Sequence, residues 1–148
     1  APPPELAHVP GAHEPPVDPD MGIPNHVHFD FWPRVGSFPE RTADGNRVGG
    51  WVRMRGEDVV DENVVVMIND LWPPVAYHIW NPGHVAVSAD ITTQFRGVLP
   101  ALVAPGEPVF VQLRTVAASG GLVDEDTEVW TAAGELLCQG RQVRFIHG

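Results

Sequence analysis

Pro73 and Pro74 stand directly behind a run whose apolar residues keep helical spacing: Val60, Val64, Met67, Ile68 and Leu71 fall at i, i+4, i+7, i+8 and i+11. That period outweighs the strand preference of Val64, Val65 and Val66 and predicts a helix. Asp58 is its expected N-cap, and Asp61 and Glu62 suit the positive end of the helix dipole. Proline at 73 disfavours the helical conformation of Trp72, and Pro74 removes another backbone donor, so the helix ends or kinks there.

On both sides of this stretch the pattern is that of strands. VHFDFWPR (27–34) is aromatic-rich and closes on Pro33, and RVGGWVRMR (47–55) alternates Val48, Gly50, Val52 and Met54 against Gly49, Trp51, Arg53 and Arg55. Turn residues fill 37–47 between them, and NPGH (81–84) reads as a turn behind the prolines. HVAVSADITTQFRG (84–97) then alternates throughout, with Val85, Val87, Ala89, Ile91, Thr93 and Phe95 on one face and Ala86, Ser88, Asp90, Thr92 and Gln94 on the other. Segments 108–117, 123–132 and 136–147 follow, separated by glycine-containing turns. Two strands, one central helix and four strands in meander make an α+β chain, one antiparallel sheet with the helix on one face. Residues 1–24 are Pro-rich and aperiodic and are expected to be a linker or extended lead-in to a single domain over 25–148.

Composition excludes several functions. All nine basic residues are arginines, set against nineteen acids for a formal charge of -10, so the chain lacks the basic footprint of a nucleic-acid or anionic-membrane binder. No apolar run reaches the roughly 18 residues needed to span a bilayer. One cysteine, Cys138, rules out an intrachain disulfide framework and points to a reducing, cytoplasmic setting; its apolar strand context reads as core rather than nucleophile. His26, His28 and Asp30 would share one face of a strand, but their surroundings favour a solvated face over a metal site. The acidic run 124–128 lacks the glycine and terminal glutamate of a calcium loop and is expected to be an exposed strand face. Phosphate-cradling glycine motifs and the G-x-S-x-G elbow are absent from the sequence.

Four segments in this order resemble the hotdog-fold thioesterases, most closely the C-terminal half of the type II acyl-CoA thioesterases, whose chains hold two hotdog units in tandem. FDFWPRVG with GGWVRMRG resembles their entry strands, MINDLWPPVAY their helix with an Asp ahead of an aromatic and proline-containing segment, VSADITTQFRG the strand after it, and GELLCQGRQVRF the closing strand. The resemblance covers roughly residues 27 to 147 and implies a curved antiparallel sheet wrapped around one long central helix.

Carried over by position, it implies a catalytic set of Asp70, Ser88 and Gln142, in which the carboxylate and the amide oxygen hold and polarise a water that attacks the thioester carbonyl. The implied reaction, hydrolysis of an acyl-CoA to the free acid and CoA, uses no metal or organic cofactor. Arg96, Arg114, Arg141 and Arg144 are candidates for the CoA phosphates. The resemblance also implies a second hotdog unit as partner, from a homodimer or from a missing N-terminal half, and the Pro-rich start favours the latter. Two other functions fit such a fold: a non-catalytic unit that binds an acyl ligand or supports a partner subunit, and an acyl-CoA dehydratase, for which His78 is the histidine in range.

Overall fold

Asp61, three residues later than expected, caps the first helix: its Oδ1 accepts the Val64 N–H at 3.0 Å. The computed structural model, which describes residues 1–79, 84–99 and 101–148, places helix α1 at Glu62–Asn69 and a short α2 at Val75–Ile79, divided by the two prolines. The expected single long helix is therefore two pieces. The later start also turns the buried face: Val65 and Ile68 face the core with Asn69, while Met67 lies at the surface.

Among the described residues six strands form one antiparallel sheet: β1 (Phe29–Val35), β2 (Arg47–Met54), β3 (Val85–Phe95), β4 (Val109–Ser119), β5 (Leu122–Trp130) and β6 (Leu136–His147). Their spatial order is β1-β2-β4-β5-β6-β3. Only β4, β5 and β6 run as a meander; β3, expected to begin it, lies at the far edge beside β6. The turn expected at 81–84 falls largely outside the described residues. Among the described residues no helix is long and apolar enough to cross a membrane.

Alternation gives the sheet two different faces. Towards the helices, Phe29, Phe31, Val48, Val52, Val109, Val111, Leu113 and Val129 build the main core with Ile68, Leu71 and Trp72. Gly50 lies under the Trp72 ring, where a Cβ would stand 2.7 Å from Cη2, so the indole that ends the helical run needs glycine at that point of β2. Cys138 is fully buried in this layer, as its context predicted, and burial pushes its thiol up to about 12. An aromatic disulfide reagent should therefore give no colour with the native chain and one equivalent after denaturation; rapid labelling of native protein would contradict this packing.

The other face carries a second cluster of Trp32, Val35, Trp51, Phe110 and Trp130. The Pro-rich lead-in lies against it. Leu6 packs on these rings, Trp32 Nε1 donates to Glu14 O at 3.0 Å, Val17 N donates to Phe31 O at 2.8 Å, and Arg34 pairs with Glu14 at 2.8 Å. Deleting residues 1–16 should expose on the order of 100 Å² of aromatic surface and cost about 2–3 kcal/mol at about 25 cal/mol per Å². A lowered denaturation midpoint would show it, and an unchanged midpoint would make the segment a passive linker.

Candidate active site

Asp70 is the C-cap of α1, its N–H turned back to Met67 O and Ile68 O. A carboxylate is poorly placed there, at the negative end of the helix dipole, unless donors meet it. Two do. Gln142 Nε2 on β6 donates to Asp70 Oδ1 at 2.7 Å, and Arg144 Nη2 lies 3.5 Å from the same oxygen. Gln142 Nε2 also donates to Ser88 Oγ, and Arg144 Nη1 donates to Ser88 Oγ at 3.3 Å. Asp70, Ser88 and Gln142, far apart in sequence, thus meet where the end of α1 crosses β6 and β3.

The site grades from interior to surface. Gln142 and Arg144 are buried, 2% and 5% exposed, whereas Asp70 keeps 47% of its side chain accessible and Ser88 is exposed. Asp70 and Ser88 therefore sit at the surface, with Gln142 and Arg144 behind them.

Ser88 reaches this face through an irregularity that alternation did not predict. It pairs with Arg144, but Asp90 pairs with Val143, so a bulge at Ala89 reverses the alternation. Before the bulge Ala86 and Ser88 face the helices, and after it Ile91, Thr93 and Phe95 do. Ser88 is thus separated from Asp90, Thr92 and Gln94, with which it was expected to share a face. Just inside, Asn69 Nδ2 donates to Thr93 Oγ1 at 3.2 Å and its amide lies against Gly140, where any Cβ would collide with it.

The orientation of Gln142 departs from the expected chemistry. Its Oε1 accepts from Arg144 Nη2, so the amide presents N–H groups, not oxygen, to Asp70 and Ser88. Arg144 is held in turn by Glu125, whose Oε2 accepts Arg144 Nε at 2.7 Å and whose Oε1 accepts the Val75 N–H at 2.8 Å. That N–H is the first backbone donor behind Pro73 and Pro74, so the proline break and the site share one carboxylate.

The remaining expected residues lie elsewhere. Arg144, proposed for a CoA phosphate, is buried in its pair with Glu125. Arg114 and Arg141 both face Asp126, at 3.6 and 2.8 Å, on the sheet face away from α1. Arg96 is exposed behind the last residue of β3 and donates to Gln94 and Gln139. His78 lies in α2 among the backbones of Thr42, Ser37 and Pro73, and burial lowers its pKa. His26 and His28 belong to a 3-10 turn, not a strand; His26 is buried against Leu71 O, and Asp30 is held by Arg53 and Arg55. Among the described residues no group of three or more His, Cys, Asp or Glu side chains is placed to hold a metal ion.

Glu125 escaped the sequence reading, which gave its acidic run to an exposed face. Asp124, Asp126 and Glu128 do face outward, but Glu125 is fully buried and Thr127 nearly so, on the face of Val123 and Val129. The period of two across VDEDTEV carried that signal.

A six-stranded antiparallel sheet carrying its helices on one face, with the site at the end of α1, is the hotdog fold. Solved structures share it. A conserved hot dog fold protein of unknown function from Alicyclobacillus acidocaldarius matches 95% of this chain and 53% of its own, at 18% identity and a TM-score of 0.80. A protein from Thermobifida fusca with a provisional thioesterase II assignment matches 95% and 53%, at 23% identity and 0.73. The protein smu.793 from Streptococcus mutans, bound to acetyl CoA, matches 80% and 90%, at 12% identity and 0.60. The chain spans about half the length of the first two. No curated protein matches it. Residues 3–146 match the family model of the acyl-CoA thioesterase C-terminal domain, and the chain belongs to that family.

Proposed function

We propose that this chain hydrolyses acyl-CoA thioesters to the free acid and CoA, with Asp70 as the base that activates water. The observation that carries the reading is the convergence of Asp70, Ser88 and Gln142 where the end of α1 meets β3 and β6, in a chain of this family. Asp70 Oδ1 is occupied by Gln142, which leaves Oδ2 to accept a proton from water. The Ser88 hydroxyl accepts from Gln142 and Arg144, so its own proton is available to the thioester carbonyl or to the attacking water. The Gln142 amide orients both groups; its oxygen does not hold the water.

The partner is a second hotdog unit. Among the described strands β3 pairs only with β6, and it leaves Val85, Val87 and Phe95 exposed along an open edge of the kind a further strand covers. The half-length match to longer relatives supports a tandem partner or a second copy equally. Arg96, whose guanidinium holds Gln94 and Gln139, lies on the same outward sheet face as Arg114 and Arg141, so none of these three arginines is assigned to a CoA phosphate beside Asp70. The single buried thiol fits the reducing, cytoplasmic setting expected from composition.

The test is thiol release from acyl-CoAs of increasing chain length, with the oligomeric state of the same sample measured by light scattering. Turnover that rises with chain length and then falls supports the reading and gives the preferred acyl length. A folded, paired sample inactive on every thioester would overturn it.

A further inference from the structure

The site contains a buried ion pair that hydrolysis by Asp70, Ser88 and Gln142 does not by itself require. Arg144 on β6 is almost completely buried, and four of its contacts define it: Nε donates to Glu125 Oε2 at 2.7 Å, Nη2 donates to Gln142 Oε1, Nη1 donates to Ser88 Oγ at 3.3 Å, and Nη2 stands 3.5 Å from Asp70 Oδ1. A guanidinium only donates and a carboxylate only accepts, whereas a primary amide can be turned either way about its last bond. With Arg144 on one side and Asp70 on the other, a single orientation of the amide satisfies both. The reverse would set N–H against guanidinium and oxygen against carboxylate.

The geometry points to Arg144 as a positioning residue that fixes the polarity of the catalytic amide, with Glu125 fixing Arg144. The inference rests on the thioesterase reading and adds a direction to it. Charge at Glu125 orients the guanidinium, the guanidinium orients the Gln142 amide, and the amide then spends both hydrogens on Asp70 Oδ1 and Ser88 Oγ. Ser88 Oγ accepts from Gln142 and Arg144 together, which uses its acceptor capacity and sends its proton outward. Without Arg144 only Asp70 holds the amide, which then samples the reverse orientation, where its oxygen captures the Ser88 proton and leaves the thioester carbonyl without its donor.

The experiment uses the double substitution E125Q/R144M, which removes both charges together and leaves no unpaired buried ion. The amide introduced at position 125 still accepts the Val75 N–H. In the folded double variant kcat should fall about tenfold to a hundredfold, the scale of a small misplacement of reacting groups, while KM for the acyl-CoA stays within about threefold. In the Q142A background the same pair of changes should cost clearly less than in the wild type, because the amide they act through is gone and only the direct contacts of Arg144 to Ser88 and Asp70 are lost. A rise in KM with kcat unchanged would make Arg144 a substrate contact instead, and unchanged values of both would make it merely structural. Either would overturn the inference.

A second readout separates this inference from the thioesterase reading. The two Gln142 side-chain N–H resonances should be shifted and slow to exchange in the wild type and should move towards the free-amide position, with faster exchange, in E125Q/R144M. If the wild type hydrolyses nothing, the thioesterase reading fails, and the amide resonances still decide the role of Arg144. Resonances unmoved by the double substitution sink it.

Discussion

Asp70→Asn should lower turnover of acyl-CoA by about a hundredfold to ten-thousandfold while leaving the melting temperature within a few degrees of the wild type. The two halves of that expectation have separate physical sources. Asparagine matches aspartate in size and keeps an oxygen that accepts the Gln142 N–H, so the 2.7 Å contact survives. Nearly half of the side chain is open to water, so little burial is at stake, and an uncharged residue suits the C-terminal end of α1 better than a carboxylate. What the substitution removes is the second oxygen as a proton acceptor. Thiol release measured beside a thermal melt checks both halves together. A variant that retains more than about a tenth of wild-type turnover would remove Asp70 from the role of base. Ser88→Ala should cost less, because water can replace part of one hydroxyl.

Strand positions were legible because each strand face sees one environment, which imposes a period of two. β6 was read at its observed bounds and β5 within two residues. The helix was legible in kind but not in length, since Asp58 and Asp61 are equally good caps by residue type and only the packing of Val65 and Ile68 decides between them. The place of β3 at the far edge was not legible, because local pattern holds no record of which neighbour a strand chooses. The bulge at Ala89 was hidden for a related reason: an extra residue in one strand is visible only against its partner.

Asp70, Ser88 and Gln142 were named through family resemblance, and nothing in their local pattern separated them from surface polar residues. The Glu125–Arg144 pair, in contrast, was open to elementary reasoning. Arg144 alternates with Gln142, Gly140 and the buried Cys138 on β6, and Glu125 alternates with Val123, Thr127 and Val129 on β5. A charge on each of two adjacent strands, both on the core face, implies that they meet.

Arg144→Met alone should be far more damaging to stability than E125Q/R144M, although it changes fewer residues. The single change leaves Glu125, with no exposed surface, facing a thioether; the Val75 N–H satisfies one of its oxygens and nothing replaces the guanidinium on the other. An uncompensated buried charge of this kind costs about 3–5 kcal/mol. In a domain of this size that corresponds to a drop of roughly 10 °C in melting temperature. Neutralising Glu125 as well removes the orphan, and replacing a whole buried pair with neutral groups is often neutral or mildly stabilising. The double variant should therefore recover most of the lost stability while its kcat stays low. That split distinguishes a pair kept for the site from one kept for the fold: a fold-keeping pair would show stability and turnover falling and returning together. Thermal melts of the wild type, the single variant and the double variant, each beside its kcat, give the answer. If Arg144→Met melts with the wild type, the charge at Glu125 is not buried in solution as it is here.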